Sequence, residues 1–190
     1  MNNVKAIAGD SVDAAVIRPT AGFEQVHAGG VFHILCYDKD GNLKWEEKGP
    51  NLVVNTGLQY MVSTSLDAAA QTTVWYLGLI GTLTSIVGGD TMLSHTGWTE
   101  DTTYSQANRP TATFGTATTA NPSVLDNSAS VAVFSINGTT TINGAFLTSS
   151  NTKGGTTGTL FSAKAFTGGS RGVISGDTLN VTYTFSLTGT

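Results

Sequence analysis

The sequence predicts an all-β protein: an antiparallel β-sandwich or jelly roll with one short helix and an extended N-terminal arm. Short apolar runs separated by Gly, Asn, Asp and Ser fill most of the chain, which is typical of many short strands joined by turns. Residues 178–187 alternate between apolar and polar side chains along their whole length. Such alternation is typical of a strand with one face on a core.

The first predicted elements form a hairpin. Residues 31–37 and 43–46 are β-type runs on either side of an Asp-Gly turn, a strong signal for two paired strands. Gly49-Pro50 ends the pair. The stretch from Asn51 to Leu66 is predicted to hold the one helix, with Asn55 or Thr56 as its N-cap.

The helix prediction depends on four apolar residues at helical spacing: Leu58, Met61, Val62 and Leu66. Further strands are predicted at residues 74–80, 111–114, 131–136, 144–147, 159–166 and 178–187. From the strand alternation and the apolar run at 74–80 we expect the core to include Trp75, Leu77, Leu79, Leu179, Val181, Tyr183 and Phe185.

Two regions are predicted: an N-terminal arm or lead-in at residues 1–29 and a single sandwich domain at residues 30–190. The arm lacks a sustained hydrophobic period and contains Pro19 and several glycines, so it has little reason to fold alone. It nevertheless carries apolar side chains that a solvated tail would not need. These are the candidate partner-binding residues Val12, Val16, Ile17 and Phe23.

Low charge narrows the classes of partner. Only 12% of the 190 residues are charged, about half the usual share of roughly 25%. The net charge is −4 and no Lys/Arg cluster exists, which argues against nucleic-acid binding. No stretch has the apolar length of a membrane span, and the start lacks the apolar run of a signal peptide. We expect synthesis in a cytoplasm and a soluble protein until assembly.

The sequence predicts no catalytic, cofactor-binding or metal-binding residues. His27, His33, His95 and the single Cys36 do not share a metal-ligand spacing. The Asp-rich stretch at residues 38–42 resembles a calcium loop but lacks the downstream Glu, so a hairpin turn explains it better. The Gly-Gly pairs lack the Lys-Ser/Thr ending of a phosphate loop.

Two other interpretations stay open at this point. Ser94 and His95, with Asp90 or Glu100, would form a hydrolase relay only if the fold brought them together. The aromatic residues Trp75, Tyr76, Trp98 and Tyr104 could line a sugar-binding face, although in an all-β protein such residues are more often core.

A series of short blocks resembles a family of virion proteins of tailed bacteriophages. The blocks follow one order over about residues 30–187, and they lie at residues 51–58 (Asn-Leu-Val-Val-Asn-Thr-Gly-Leu), 75–80, 89–92, 95–100, 109–110, 144–147, 155–160 and 176–179. Some members of this family look like the cement or decoration proteins on the outside of the capsid. A similar layout occurs in some tail-fibre and collar-like proteins.

The resemblance implies a non-enzymatic structural protein of the virion. It would bind the capsid surface and reinforce contacts between major capsid subunits, with that protein and neighbouring copies of itself as partners. It would be made in the host cytoplasm and oligomeric in the particle. The alternative is a tail or fibre component that binds a host receptor or glycan. The family supplies no catalytic residues.

Overall fold

Two antiparallel sheets form the core of the computed structural model, which describes residues 25–189. The elements follow in the order β1 Val26–Tyr37, β2 Leu43–Pro50, β3 Leu52–Val53, α1 Asn55–Leu66, β4 Trp75–Leu83, β5 Trp98–Asp101, β6 Thr111–Ala112, β7 Ser123–Asp126, β8 Ala132–Ser135, β9 Thr140–Ile142, β10 Gly144–Thr148, β11 Leu160–Ala165, β12 Arg171–Val173 and β13 Thr178–Gly189. The predicted all-β class with one short helix is confirmed. Jelly-roll connectivity stays a prediction.

The first sheet is built on the pairing of the first and last strands. Its order is β2-β1-β13-β7, and β8 also pairs with β13. β1 and β13 are in register over twelve residues each, from Val26 opposite Gly189 to Tyr37 opposite Thr178. The predicted hairpin is β1–β2, with Gly41 at a φ of 84° in its turn. A positive φ of this size favours glycine, which explains why the sequence has Asp-Gly at this turn.

The second sheet has the order β3-β11-β10-β4-β5, with β6 also paired to β4. A separate two-stranded sheet joins β9 and β12. β4 lies inside the second sheet, and residues 77–80 of this strand are all buried. A strand covered on both faces has no polar side to display, which accounts for the unbroken apolar run that the sequence shows there.

The main core lies between the two sheets. Leu77, Leu79, Leu179, Val181 and Tyr183 belong to it and are fully buried, as predicted. The predictions for Trp75 and Phe185 were wrong, because both side chains are only partly buried and pack against the core from its margin. Trp75 is the first residue of β4, and both side chains line an open cavity at this end of the sandwich.

A second apolar cluster covers the other face of the second sheet. It consists of Val54, Ile80, Met92, Trp98, Phe146, Leu160 and Ala163. Gly78 lies directly beneath the Phe146 ring, and a Cβ there would be 2.1 Å from that ring. The strand therefore requires glycine at this position.

Several boundaries differ from the prediction. β1 begins at Val26 rather than at Gly30, so residues 26–29 belong to a strand and not to the arm. The N-cap of α1 is Val54 without a side-chain hydrogen bond, so neither Asn55 nor Thr56 caps the helix. The arm residues Val12, Val16, Ile17 and Phe23 lie outside the described residues.

Five strands were missed: β3, β5, β7, β9 and β12. Each has only two to four residues, too few for a period to show. Within residues 25–189, no helix has the length and apolar content needed to cross a membrane.

Candidate docking surface

Helix α1 turns much of its apolar side to solvent. The exposed fractions are 43% for Leu58, 60% for Val62 and 86% for Leu66, whereas Met61 is half-buried. The helical spacing of these residues predicted the helix. Their exposure did not follow from that spacing, because it depends on which side of the helix packs on the sheet.

The opposite side of α1 is fixed to β11 through close backbone contact. The Val54 amide donates to the Phe161 carbonyl at 3.1 Å, and the Thr56 hydroxyl donates to the Leu160 carbonyl at 2.6 Å. Gly57 is buried here, and a Cβ on it would lie 2.2 Å from the Phe161 carbonyl oxygen. The helix can sit this close only because residue 57 has no side chain.

Tyr60 completes the attachment of the helix. Its ring packs edge-on against Trp75 at a centroid distance of 5.0 Å, and its hydroxyl accepts a hydrogen bond from the Thr72 amide at 2.7 Å. These contacts orient α1 so that Leu58, Val62 and Leu66 face away from β11. The exposed side is therefore a fixed feature of the fold.

An apolar groove runs between α1 and the adjoining ends of β1 and β13. Its volume is about 430 Å³, and it is lined by Val26, Ala28, Leu58, Met61, Val62, Ser65, Leu66 and Leu187. Ala28 and Leu187 are directly opposite each other, on the side of the first sheet that faces the core. The groove is thus the place where this core-facing side continues past the second sheet without being covered. None of its lining residues is charged.

An aromatic cavity of about 190 Å³ adjoins the groove. Its lining residues are Tyr60, Met61, Trp75, Phe114, Leu125, Leu147, Phe161, Tyr183 and Phe185. Met61 lines both spaces. The Phe161 ring packs against Phe185 at 5.2 Å and against Trp75 at 5.3 Å, so the walls support one another. We call the groove and this cavity together the apolar end.

Buried charges elsewhere have partners within the fold. Lys164 and Glu47 approach to 3.1 Å with both side chains buried, and Lys44 pairs with the buried carboxylate of Asp177. The buried Arg109 guanidinium binds Glu100 through two nitrogens at 2.9 and 2.7 Å. Such pairs join distant segments of the chain.

The residues of the possible hydrolase relay make structural contacts with other parts of the fold instead. The Asp90 carboxylate accepts hydrogen bonds from the Trp98 indole and the Val87 amide, both at 3.0 Å. His95 stacks on the Trp98 ring at 3.8 Å, and its Nδ1 lies 2.9 Å from the Trp98 carbonyl. Glu100 binds Arg109. The structure shows no hydrogen-bonded relay from Ser94 through His95 to either carboxylate.

The Asp-rich turn between β1 and β2 is held by its own backbone. The Asp38 carboxylate accepts hydrogen bonds from the amides of Asp40 and Asn42, both at 2.9 Å. Those amides lower the pKa of the carboxyl group, with Asn42 the larger influence. Across residues 25–189 no group of three or more His, Cys, Asp or Glu side chains is placed to hold a metal ion.

Of the four aromatic residues considered for a sugar face, two are core. Trp98 and Tyr104 are buried, while Trp75 and Tyr76 are half-buried. Trp75 and Tyr76 are consecutive in β4, so their side chains point to opposite faces of the sheet. The four residues therefore do not form one platform.

Comparisons with protein-family models, with curated proteins and with solved structures found no match. The apolar end is consequently the basis for a functional argument from this structure. Sequence reasoning missed the groove, and the available signal was weak: four apolar residues on one side of a single helix do not show whether that side is covered.

Proposed function

We propose that the protein is a structural component of a tailed-phage virion, a cement or decoration protein of the capsid. It binds the outer surface of the shell and reinforces contacts between major capsid subunits. The observation that carries this proposal is the apolar end, where exposed Leu58, Val62 and Leu66 stand beside an aromatic cavity on an otherwise weakly charged sandwich. The family resemblance of residues 30–187 supplies the virion context.

The chemistry of this surface suits attachment to another protein. Interfaces are stabilised mainly by a few apolar or aromatic anchors that are desolvated at the centre of the contact. The groove offers such anchors without a charge that would have to be desolvated. Many copies on one shell would make a modest contact effective.

The proposal also specifies the binding partners of the protein and its location. The partners are the major capsid protein and neighbouring copies of this chain, and the protein is made in the host cytoplasm before it joins the particle. It acts without catalysis, nucleic acid or membrane. The low and negative charge supports the nucleic-acid part of this proposal, because the chain has no basic cluster to neutralise phosphates.

Copy number on purified particles tests the proposal directly. A gel of intact particles should show this protein at hundreds of copies, in a fixed ratio to the major capsid protein. A few to tens of copies would instead indicate the tail or fibre component that binds a host receptor or glycan. Absence from washed particles would contradict both assignments.

A matched pair of variants tests the docking surface. Val62→Ser with Leu66→Ser removes two exposed apolar groups from the groove, whereas Leu43→Ser with Val133→Ser removes two exposed groups elsewhere. Loss of two anchors of more than about 1 kcal/mol each should weaken particle binding by tenfold or more. The control pair should bind like the parent protein. Equal binding by both pairs would place the contact elsewhere.

A further inference from the structure

The tripeptide Ile-Asn-Gly occurs twice in the chain, at residues 136–138 and 142–144. Asparagine is chemically labile, because the backbone nitrogen of the next residue can attack its side-chain carbonyl carbon. A following glycine makes this attack easiest, since it has no Cβ to obstruct the approach and allows a wide range of backbone angles. With the same three residues at both places, the fold should decide whether Asn137 and Asn143 react alike.

Asn143 is held by hydrogen bonds at its backbone and its side chain. Its amide donates to the Ile80 carbonyl at 2.7 Å, and its carbonyl accepts from the Phe166 amide at 2.8 Å. Its side-chain amide donates to the Gly81 carbonyl. Gly144 is buried and begins β10, which pairs with β4 on one side and with β11 on the other. The rotation that brings the Gly144 nitrogen to the Asn143 side chain would break these contacts.

Asn137 is exposed in the loop between β8 and β9. Its amide donates to the Thr103 carbonyl at 3.4 Å, which is long for a hydrogen bond. Within residues 25–189, the Asn137 side chain and the Gly138 amide make no hydrogen bond. Gly138 belongs to no strand. The backbone here can therefore rotate at far lower cost than at Asn143.

We propose that Asn137 is a site of spontaneous deamidation and that the second sheet protects Asn143 from the same reaction. The site is independent of the proposed function, because the reaction needs only the folded chain and water. Its product differs from the parent chain in charge and in backbone, which makes Asn137 a modification site of the protein.

The reaction proceeds through a cyclic imide. Hydroxide removes the proton of the Gly138 amide, and the nitrogen attacks Cγ of Asn137. A new N–C bond forms, the bond from Cγ to the side-chain nitrogen breaks, and ammonia leaves with a proton taken from water. Water then opens the imide at either carbonyl, which gives aspartate or isoaspartate. One water is consumed for each ammonia released, and no group is oxidised or reduced.

Deamidation at this position would change the protein in two ways. The neutral amide becomes a carboxylate, so the net charge of the chain moves from −4 to −5. Isoaspartate also lengthens the main chain by one carbon atom in the loop between β8 and β9. A stored preparation should therefore separate into charge forms.

Peptide mapping of the full-length protein tests both halves of the proposal. The folded protein is incubated at mildly alkaline pH, below the range in which the fold weakens, and is then digested with chymotrypsin. Cleavage after Phe134 and Phe146 releases residues 135–146, one peptide that carries both sites. Its mass should rise by about 1 Da, and fragment ions should place the change at Asn137. Asn143 should react at least about tenfold more slowly, because its reaction requires local opening of the sheet.

Two controls separate the effect of the fold from that of the sequence. Asn137→Gln should leave the mass of this peptide unchanged with time, because the longer side chain closes a ring far more slowly. Incubation of the parent protein in guanidinium chloride removes the sheet and should let Asn143 react about as fast as Asn137. Equal rates at the two sites in the folded protein, or reaction at Asn137 only after unfolding, would overturn the proposal. So would a difference that persists in guanidinium chloride, since the neighbouring residues rather than the fold would then select the site.

Discussion

Arg109 and Glu100 form a buried, two-pronged ion pair that joins three segments of the chain. The guanidinium also donates to the carbonyls of Ser150 and Gly155, at 2.9 and 2.8 Å, and its carbon lies 5.3 Å from the Phe146 ring centre. The carboxylate of Glu100 accepts a further hydrogen bond from the Gly154 amide at 2.8 Å. The guanidinium thus donates four hydrogen bonds inside the fold, which indicates that Arg109 stabilises the structure.

Arg109→Met should therefore destabilise the fold strongly. It leaves the Glu100 carboxylate buried without its cation, which typically costs about 3–5 kcal/mol. Arg109→Lys should recover only part of the loss, because an ammonium cannot reproduce the planar fork. Urea unfolding measures the free-energy change. Lys39→Met is the control, since the Lys39–Asp40 pair is exposed and should contribute less than about 1 kcal/mol. Similar costs for both would contradict this role.

The seating of α1 should depend on Gly57. Gly57→Ala places a methyl group 2.2 Å from the Phe161 carbonyl oxygen, so the helix must move away from β11. We expect a loss of about 1–3 kcal/mol in the free energy of unfolding, as for other overpacked sites. Gly89→Ala is the matched control, because a Cβ there meets no atom within 4 Å. A Gly57→Ala protein as stable as the control would show that the helix is not held by this contact.

Alkaline pH should weaken the fold, and Tyr183 should account for part of the effect. Burial raises the pKa of Tyr183 to about 12 from 10.0, with hydrogen bonds from Ser162 and Asn51 acting in the opposite direction. The phenol thus loses its proton more easily in the unfolded chain. Its contribution to stability is complete below pH 10 and is lost as the pH rises from 10 to 12.

Cys36 acts in the same direction, because burial raises its pKa to about 11 from 9.0. Tyr104 does too, since burial also raises the pKa of its phenol. The free energy of unfolding should therefore fall more steeply above pH 9 than between pH 7 and 8. In Tyr183→Phe the fall between pH 10 and 11 should be smaller than in the parent protein. An identical slope in both proteins would show that Tyr183 does not titrate differently on unfolding.

Particle binding should be nearly independent of salt. The groove has no charged lining residue, and the chain as a whole is only 12% charged. Raising the ionic strength from about 0.1 to 1 M shortens the screening length from about 10 to 3 Å, which weakens exposed ion pairs but not apolar contacts. Sedimentation of particles at both salt concentrations measures the bound fraction. Complete release in moderate salt from shells that remain intact would contradict an apolar contact.

The sequence was most informative where one period extends over many residues. The alternation in β13 and the Asp-Gly turn of the β1–β2 hairpin were both confirmed. Trp75 and Phe185 were misjudged for a geometric reason: a strand pattern shows which face a residue is on, but not whether a cavity opens beside that residue. Short strands such as β5 were missed for want of a period.

The candidate site was harder to predict than the fold. Leu58, Val62 and Leu66 could have packed on a sheet with the same spacing, and the contact that turns them outward is made by Gly57 against a backbone carbonyl 104 residues further along the chain. A contact between residues so far apart in sequence leaves no pattern in the residues around either one. The contacts of His95 with Trp98 and of Arg109 with Glu100 could not be predicted from the sequence either, because they depend on the conformation of the loops.

The full-length pairing of β1 with β13 has a practical consequence for engineering. Gly189 is opposite Val26, which lines the groove, so a polypeptide joined directly after Gly189 would emerge beside the groove. The Gly41 turn is at the other end of β1, about 36 Å away along the strand. A foreign epitope inserted between Asp40 and Gly41 would therefore be displayed on the side opposite the apolar end, while the same epitope joined directly after Gly189 would crowd it.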